Sequence, residues 1–180
     1  MKKIMCVLIS VILAFLVSAC GCVNNAPVAP TDAAKVTKKT VNIYFPDENV
    51  MYFKAEERVI EGADDIDYAE AIIKEILKGP VSEKLNPAIR GDVKVLSIAI
   101  DENGLCTLDL SKEFETYNTG GSAMESMAIY SVVNSLCELD SIEKVKINID
   151  GEENAEYGGH FLLDEPFEPD KNLINTDTLD

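Results

Sequence analysis

The chain is poor in histidine and in basic residues, and it has no apolar run long enough to cross a bilayer. Each shortage removes a class of function. Zinc sites need histidines and cysteines clustered at close spacing, and the chain has one histidine, His160 in "GGHF", which reads as a turn or packing residue. No Gly-x-Ser-x-Gly elbow is present to expose a serine nucleophile, so a triad through His160 has no scaffold. Lys and Arg number 16 against 32 Asp and Glu. Residues 1–40 hold five lysines and one acid, which leaves a net charge of −20 on residues 41–180. Nucleic acids and anionic head groups are bound by cations that replace their counterions. Such a body repels both, and nucleic-acid binding is excluded.

The longest apolar run is Ile4 to Val17. As a helix it would reach about 21 Å at ~1.5 Å per residue, short of the roughly 30 Å hydrocarbon core. With Lys2 and Lys3 ahead of it and Ser18 and Ala19 behind, it has the build of a secretory signal. "VSAC" (Val17–Cys20) resembles a bacterial lipobox. The resemblance implies cleavage between Ala19 and Cys20 and a diacylglyceryl group on the Cys20 sulfur. Two acyl chains hold a protein stably at a bilayer where one holds it marginally. The expected membrane contact is therefore the lipid on Cys20, at the extracytoplasmic face.

Residues 1–19 are thus expected to be signal peptide and residues 20–40 a lipidated tether, its Pro27, Pro30 and small polar residues unable to build a core. Residues 41–170 are the expected domain and 171–180 a frayed polar tail.

Within the domain, "VNIYF" (41–45) reads as a strand stopped at Pro46-Asp47, and "VMYFKAEERVIEG" (50–62) as a short hairpin or bent strand. A helix follows. Asp64, Asp65 and Asp67 suit its N-terminus, Ala69, Ile72, Ile73, Ile76 and Leu77 form its stripe, and Lys78-Gly79-Pro80 ends it. Residues 92–111 read as a hairpin turning at Asn103-Gly104, with Val93, Val95, Ser97 and Ala99 on one face and Cys106, Leu108 and Leu110 sharing a face of the return strand. A second helix opens on a capping box from Ser122 to Glu125 and buries Met124, Ala128, Ile129, Val132, Val133 and Leu136. A last strand covers 144–150. The order predicts an α+β fold, a small, mostly antiparallel sheet with two amphipathic helices on one face.

No catalytic site, metal or cofactor is expected. Cys106 and Cys137 read as small core residues, free thiols in preference to a bridge, although pairing with each other or with Cys22 is open in an oxidising compartment. Asp64–Asp67 and Asp150–Asn154 lack the spacing of an EF-hand loop. "TGGS" (119–122) invites an anion only superficially, because Ser122 is accounted for as a cap and the acidic field opposes one. Paired carboxylates acting as acid and base need a cleft that a sequence does not reveal.

The ordered set "VNIYF", "LKGP" (77–80), "DLS" (109–111), "VNSL" (133–136) and Gly159-His160 ahead of Pro166-Phe167 resembles the sporulation and spore germination domain called GerMN, over roughly residues 41–170. The resemblance implies a lipoprotein of a Gram-positive envelope and a fold like the ring-building motif of secretion complexes. It brings no catalytic residues. Cys137 stands where the family usually has Thr, and one domain is present where the germination protein has two. The resemblance also implies a scaffold that contacts an envelope protein or copies of itself, with Glu57 and Arg58 as candidate contact residues. A surface ion pair of little worth is the plainer account of those two. A module binding neutral wall glycan through Tyr44, Tyr52 or Tyr117 is the alternative.

Overall fold

The computed structural model describes residues 35–117 and 121–176. In chain order the elements are β1 (Thr37–Pro46), β2 (Phe53–Gly62), α1 (Asp65–Lys78), β3 (Val95–Ile100), β4 (Leu105–Leu110), α2 (Glu113–Tyr117), α3 (Ser122–Leu136), β5 (Lys144–Ile149), β6 (Glu156–Tyr157), β7 (Phe161–Leu162) and a 3-10 turn at Lys171–Leu173. The fold is α+β. Its strands form an antiparallel β1–β2 ribbon, a β3-β4-β5 sheet and a small β6–β7 pair. Among the described residues the pairings between these strands are antiparallel except β4 with β5. A parallel pair needs a long crossover, and α2 with α3 supplies it. Helix α1 packs on β1, β2 and β3, helix α3 packs on β1 and β5, and the two helices touch.

Helix α1 follows its local signals. Asp64 caps it by accepting from Asp67 N at 2.9 Å, and the Asp67 carboxylate reaches back to Ala63 N at 2.9 Å. One orphan donor of the first turn, Asp67 N, and the N–H of Ala63 just ahead of the cap are thereby satisfied. Gly79 ends the helix at φ +82°, where a β-carbon would be strained. The buried face is Tyr68, Ala69, Ile72, Ile73 and Ile76.

Helix α3 departs from its expected capping box. Gly121 is the N-cap, with no side-chain cap bond, and Ser122 is already helical. The shift of one position turns Glu125 by about 100° around the axis, so that it points inward and cannot reach back to the cap. The helix is buried on most sides, including Ser131, Asn134 and Ser135, and so lacks the single stripe of α1.

The β3–β4 hairpin also differs from strict alternation. The register shifts between Val95 and Ser97, which moves Ile98 and Ile100 inward and leaves Leu96, Ser97 and Ala99 exposed. A bulge of this kind inserts one residue and exchanges the faces beyond it. Its turn spans Asp101–Gly104, with Asp101 Oδ1 accepting from Asn103 N at 2.8 Å and Leu105 N at 2.9 Å.

Both ends of the body are longer than expected. β1 begins at Thr37, four residues inside the expected tether, and Lys38 pairs with Glu61 at 2.8 Å. Beyond Phe167 the chain is tacked down. The buried Asn134 amide donates to Asp170 O at 3.2 Å and accepts from Asp170 N at 2.9 Å, and Ile174 bridges Phe53 in parallel. The expected fraying therefore does not apply to residues 170–176, because a buried amide and a strand edge take up their backbone groups.

Candidate functional site

The β1–β2 ribbon has two outer edges, and they are treated differently. On β1 the groups of Asn42, Tyr44 and Pro46 point away from β2. Ser135 Oγ accepts from Tyr44 N at 3.0 Å, Ser131 Oγ donates to Tyr44 O at 2.6 Å, Glu138 Oε2 accepts from Asn42 Nδ2 at 3.1 Å, and Asn86 N donates to Pro46 O at 2.8 Å. Ser131, Ser135 and Glu138 are spaced i, i+4, i+7 along α3 and the turn after it, which places them on one helical side. A polar stripe in an otherwise apolar helix thus closes a strand edge that would leave buried backbone groups unpaired. On β2, Asn175 N donates to Phe53 O at 2.9 Å, and the edge continues past that bond through Ala55 to Glu61.

Glu57 and Arg58 fall on β2 and face opposite ways. Glu57 is exposed. Arg58, 15% exposed, turns inward to Glu56 at 2.5 Å and Glu75 at 3.4 Å, and its guanidinium lies 5.9 Å from the Phe45 ring centroid. Glu56 is itself 8% exposed and accepts from Val81 N at 3.0 Å and Ser82 N at 2.8 Å. Burial works against its charge, yet the Val81 and Ser82 amides and Arg58 prevail and hold its carboxyl below the usual range. Arg58 is therefore part of a buried ion network that ties β2 to the end of α1.

The second polar constellation lies at the start of α3. Glu125, 2% exposed, has Oε2 at 2.7 Å from Nδ1 of His160. Gly158 sits against the carboxylate so closely that an added β-carbon would lie 2.1 Å from Glu125 Cδ. The neighbouring Tyr157 phenol is pushed above its usual range by burial and then by the Glu125 charge. The arrangement orients an imidazole by a buried acid, as in a base–orienter pair, but no serine or cysteine nucleophile is in hydrogen-bond contact with the ring among the described residues. The interaction turns "GGH" from a simple turn into the lid of a buried charge.

Cys106 is fully buried and Cys137 half-buried, both as free thiols. Burial pushes Cys106 up to about 12 and Cys137 to about 11. Thiolates, the reactive form, are thus scarce at neutral pH. Cys137 lines a groove of about 600 Å³ with Tyr44, Glu138, Pro169 and Ile174. Tyr44 is 7% exposed and donates its hydroxyl to Glu138 Oε1 at 2.7 Å, whereas Tyr52, at the β1–β2 turn, is 43% exposed. The Tyr117 side chain lies outside the described residues, as do Ala19 and Cys20.

The acidic segments are structural in part. Asp64 and Asp67 are consumed by the α1 cap, and Asp150 at φ +53° leads a turn in which Gly151 N donates to Asp109 Oδ1 at 3.0 Å. Among the described residues no three His, Cys, Asp or Glu side chains are grouped to hold a metal, and no helix is long and apolar enough to cross a membrane. Ser131 and Glu138 were not singled out by the sequence, Asn134 and Ser135 entered only within VNSL, and Glu125 was read as a capping residue and not as a buried partner of His160. The signal for the α3 stripe was polar residues at helical spacing amid apolar ones. Glu125 carried none, because its partner is 35 residues away.

Solved structures share the fold, among them the following three. The tandem GerMN domains of the sporulation protein GerM from Bacillus subtilis superpose with a TM-score of 0.54 at 23% identity, over 65% of this chain and 41% of that one. The first GerMN domain of the same protein gives 0.50 at 24%, over 64% and 85%. A putative lipoprotein from Clostridium perfringens gives 0.53 at 22%, over 83% of this chain and 99% of that one. The chain thus spans less than half the tandem structure. A comparison with curated proteins finds no match. The family model "Germane: Sporulation and spore germination" matches residues 42–155, more than half of the chain, from the second half of β1 through β5. The protein therefore belongs to the sporulation and spore germination family, with the GerMN fold.

Proposed function

We propose that this protein is a lipid-anchored, non-catalytic scaffold or assembly factor of the cell envelope, acting in sporulation or germination. The family match over residues 42–155 carries the reading. The VSAC motif at Cys20 and the resemblance to a putative lipoprotein support the anchor. The body's charge of −20 supports display away from anionic lipid and engagement of basic protein surfaces. Confinement by a lipid raises the local concentration of the domain for neighbours on the same membrane, so weak contacts suffice.

The test uses the full chain in its native cells. Cys20→Ala is expected to release the protein from the membrane fraction and to abolish the acyl mass on the mature amino terminus. Crosslinking from the anchored protein is expected to retain an envelope protein or a second copy. Unchanged membrane retention in Cys20→Ala overturns the anchor, and a purified chain that turns over a substrate overturns the scaffold.

A further inference from the structure

The asymmetry between the two edges of the β1–β2 ribbon points to a binding site. In the continuous antiparallel register, Asn42 opposes Glu57, Tyr44 opposes Ala55 and Thr40 opposes Val59. Residues directly opposite one another point their backbone groups the same way with respect to the ladder, both inward or both outward. Asn42 and Tyr44 aim theirs outward, into α3. The groups of Ala55, Glu57, Val59 and Glu61 therefore aim outward on the other side, in line with Phe53 O, which Asn175 already occupies. Beyond Phe53 no strand pairs with this edge among the described residues, and Glu57 O has only a long 3.5 Å contact from Arg58. The open edge is about 23 Å long at ~3.3 Å per residue.

Beside it runs a groove of about 300 Å³ between β2 and α1, with Val59 and Glu61 on one wall and Glu70, Ala71 and Lys74 on the other. Small Ala71 leaves room there for a chain laid along the edge. The strand's exposed side chains are Ala55, Glu57, Val59 and Glu61, with Val59 63% exposed between the two glutamates. Lys74 is already engaged with Glu70 at 3.0 Å and Lys78 with Glu75 at 2.5 Å. A second copy pairing here would bring Glu57 and Glu61 of both chains together, and like charges across strands are destabilising. Lysine or arginine at alternate positions of a partner strand would meet Glu57 directly and would share Glu61 with Lys38, which reaches it at 2.8 Å across the ribbon.

We propose that the edge Ala55–Glu61 and its groove against α1 take up an extended basic segment of a partner protein as an added β-strand. Main-chain hydrogen bonds supply affinity in this mode, and alternate side chains supply specificity. The proposal rests on the scaffold reading and gives its contact a location.

The experiment titrates the detergent-solubilised full chain with an acetylated decapeptide alternating lysine with valine and threonine, and follows backbone amide exchange by NMR. The amides of Ala55, Glu57, Val59 and Glu61 are expected to slow at least tenfold, while those of Glu56 and Arg58 hold their rates. Val59→Pro removes an outward N–H and no ladder bond, and is expected to weaken binding at least tenfold. The double variant Glu57→Lys/Glu61→Lys should do the same with β2 intact. A peptide N-methylated at alternate amides keeps its charge and is expected not to bind. Equal binding of the methylated peptide, protection elsewhere, no protection, or protection that grows with protein concentration alone overturns the proposal. Because the peptide experiment involves no membrane, loss of anchoring in Cys20→Ala and loss of strand addition are read separately.

Discussion

Glu125 Oε2 and His160 Nδ1 meet at 2.7 Å across 35 residues, with the backbone of Gly158 closing over the carboxylate. The contact joins α3 to the β6–β7 turn. It gives Gly158 a second reason beyond the positive φ of its turn, because an added β-carbon would collide with the acid.

Gly158→Ala therefore carries two penalties, a left-handed φ of +65° and a collision with Glu125. The expected loss is about 2–5 kcal/mol in urea unfolding. Combining it with Glu125→Ala removes the obstacle, so the double variant should be more stable than the sum of singles by ~1–3 kcal/mol. Strict additivity would show that the close approach is not what the glycine serves.

Glu56 makes stability depend on acid. Its folded pKa is depressed, so its contribution is present above the ordinary carboxylate range and is lost as pH falls through the folded value. At pH 7, Glu56→Gln should cost about 1.5–3 kcal/mol. The difference from the parent chain should shrink steadily in unfolding curves taken from pH 6 down to pH 2. A difference that stays constant with pH would refute the charge argument.

Ser135 is predicted to matter through a single hydrogen bond. Ser135→Ala leaves Tyr44 N–H buried without its acceptor, at an expected cost of about 1–3 kcal/mol. Amide exchange at Tyr44 should accelerate more than at Ile43, whose groups face β2. Equal acceleration at both would mean that the whole ribbon had loosened.

The thiol of Cys106 should be inert. With its pKa pushed up to about 12 by burial, alkylation at pH 8 is expected only after unfolding, and Cys137 should react slowly in the folded chain. A raised thiol pKa also means stability that is intact below the unfolded value of ~8.5 and lost as pH rises towards the folded one. Rapid modification of Cys106 in the folded protein would place it on the surface.

Helix α1 was legible from end to end because all of its signals are local. Asp64 and Asp67 reach donors within four residues, the isoleucines repeat at the helical period, and Gly79 needs only its own backbone freedom. The chain order of the body and the inward face of Cys106, Leu108 and Leu110 were legible for the same reason. The start of α3 was not. Ser122-x-x-Glu125 fits a capping box, but the helix starts on Gly121 and Glu125 is instead taken up by His160 under Gly158, which lie on no neighbouring turn. The alternation around Val95 failed at a bulge that leaves no mark in residue types.

Composition and periodicity by themselves determined an acidic body unsuited to nucleic acid, the order of the first five strands and the two long helices, though not α2, β6 or β7, and the apolar sides of β4 and of α1, since these depend on residues a few positions apart. Tertiary structure alone decided which polar groups go inside. Arg58 turns to Glu56 and Glu75, Ser131 and Ser135 close the β1 edge, and β2 is left open, because a buried donor or acceptor is tolerable only where a distant part of the chain brings its partner.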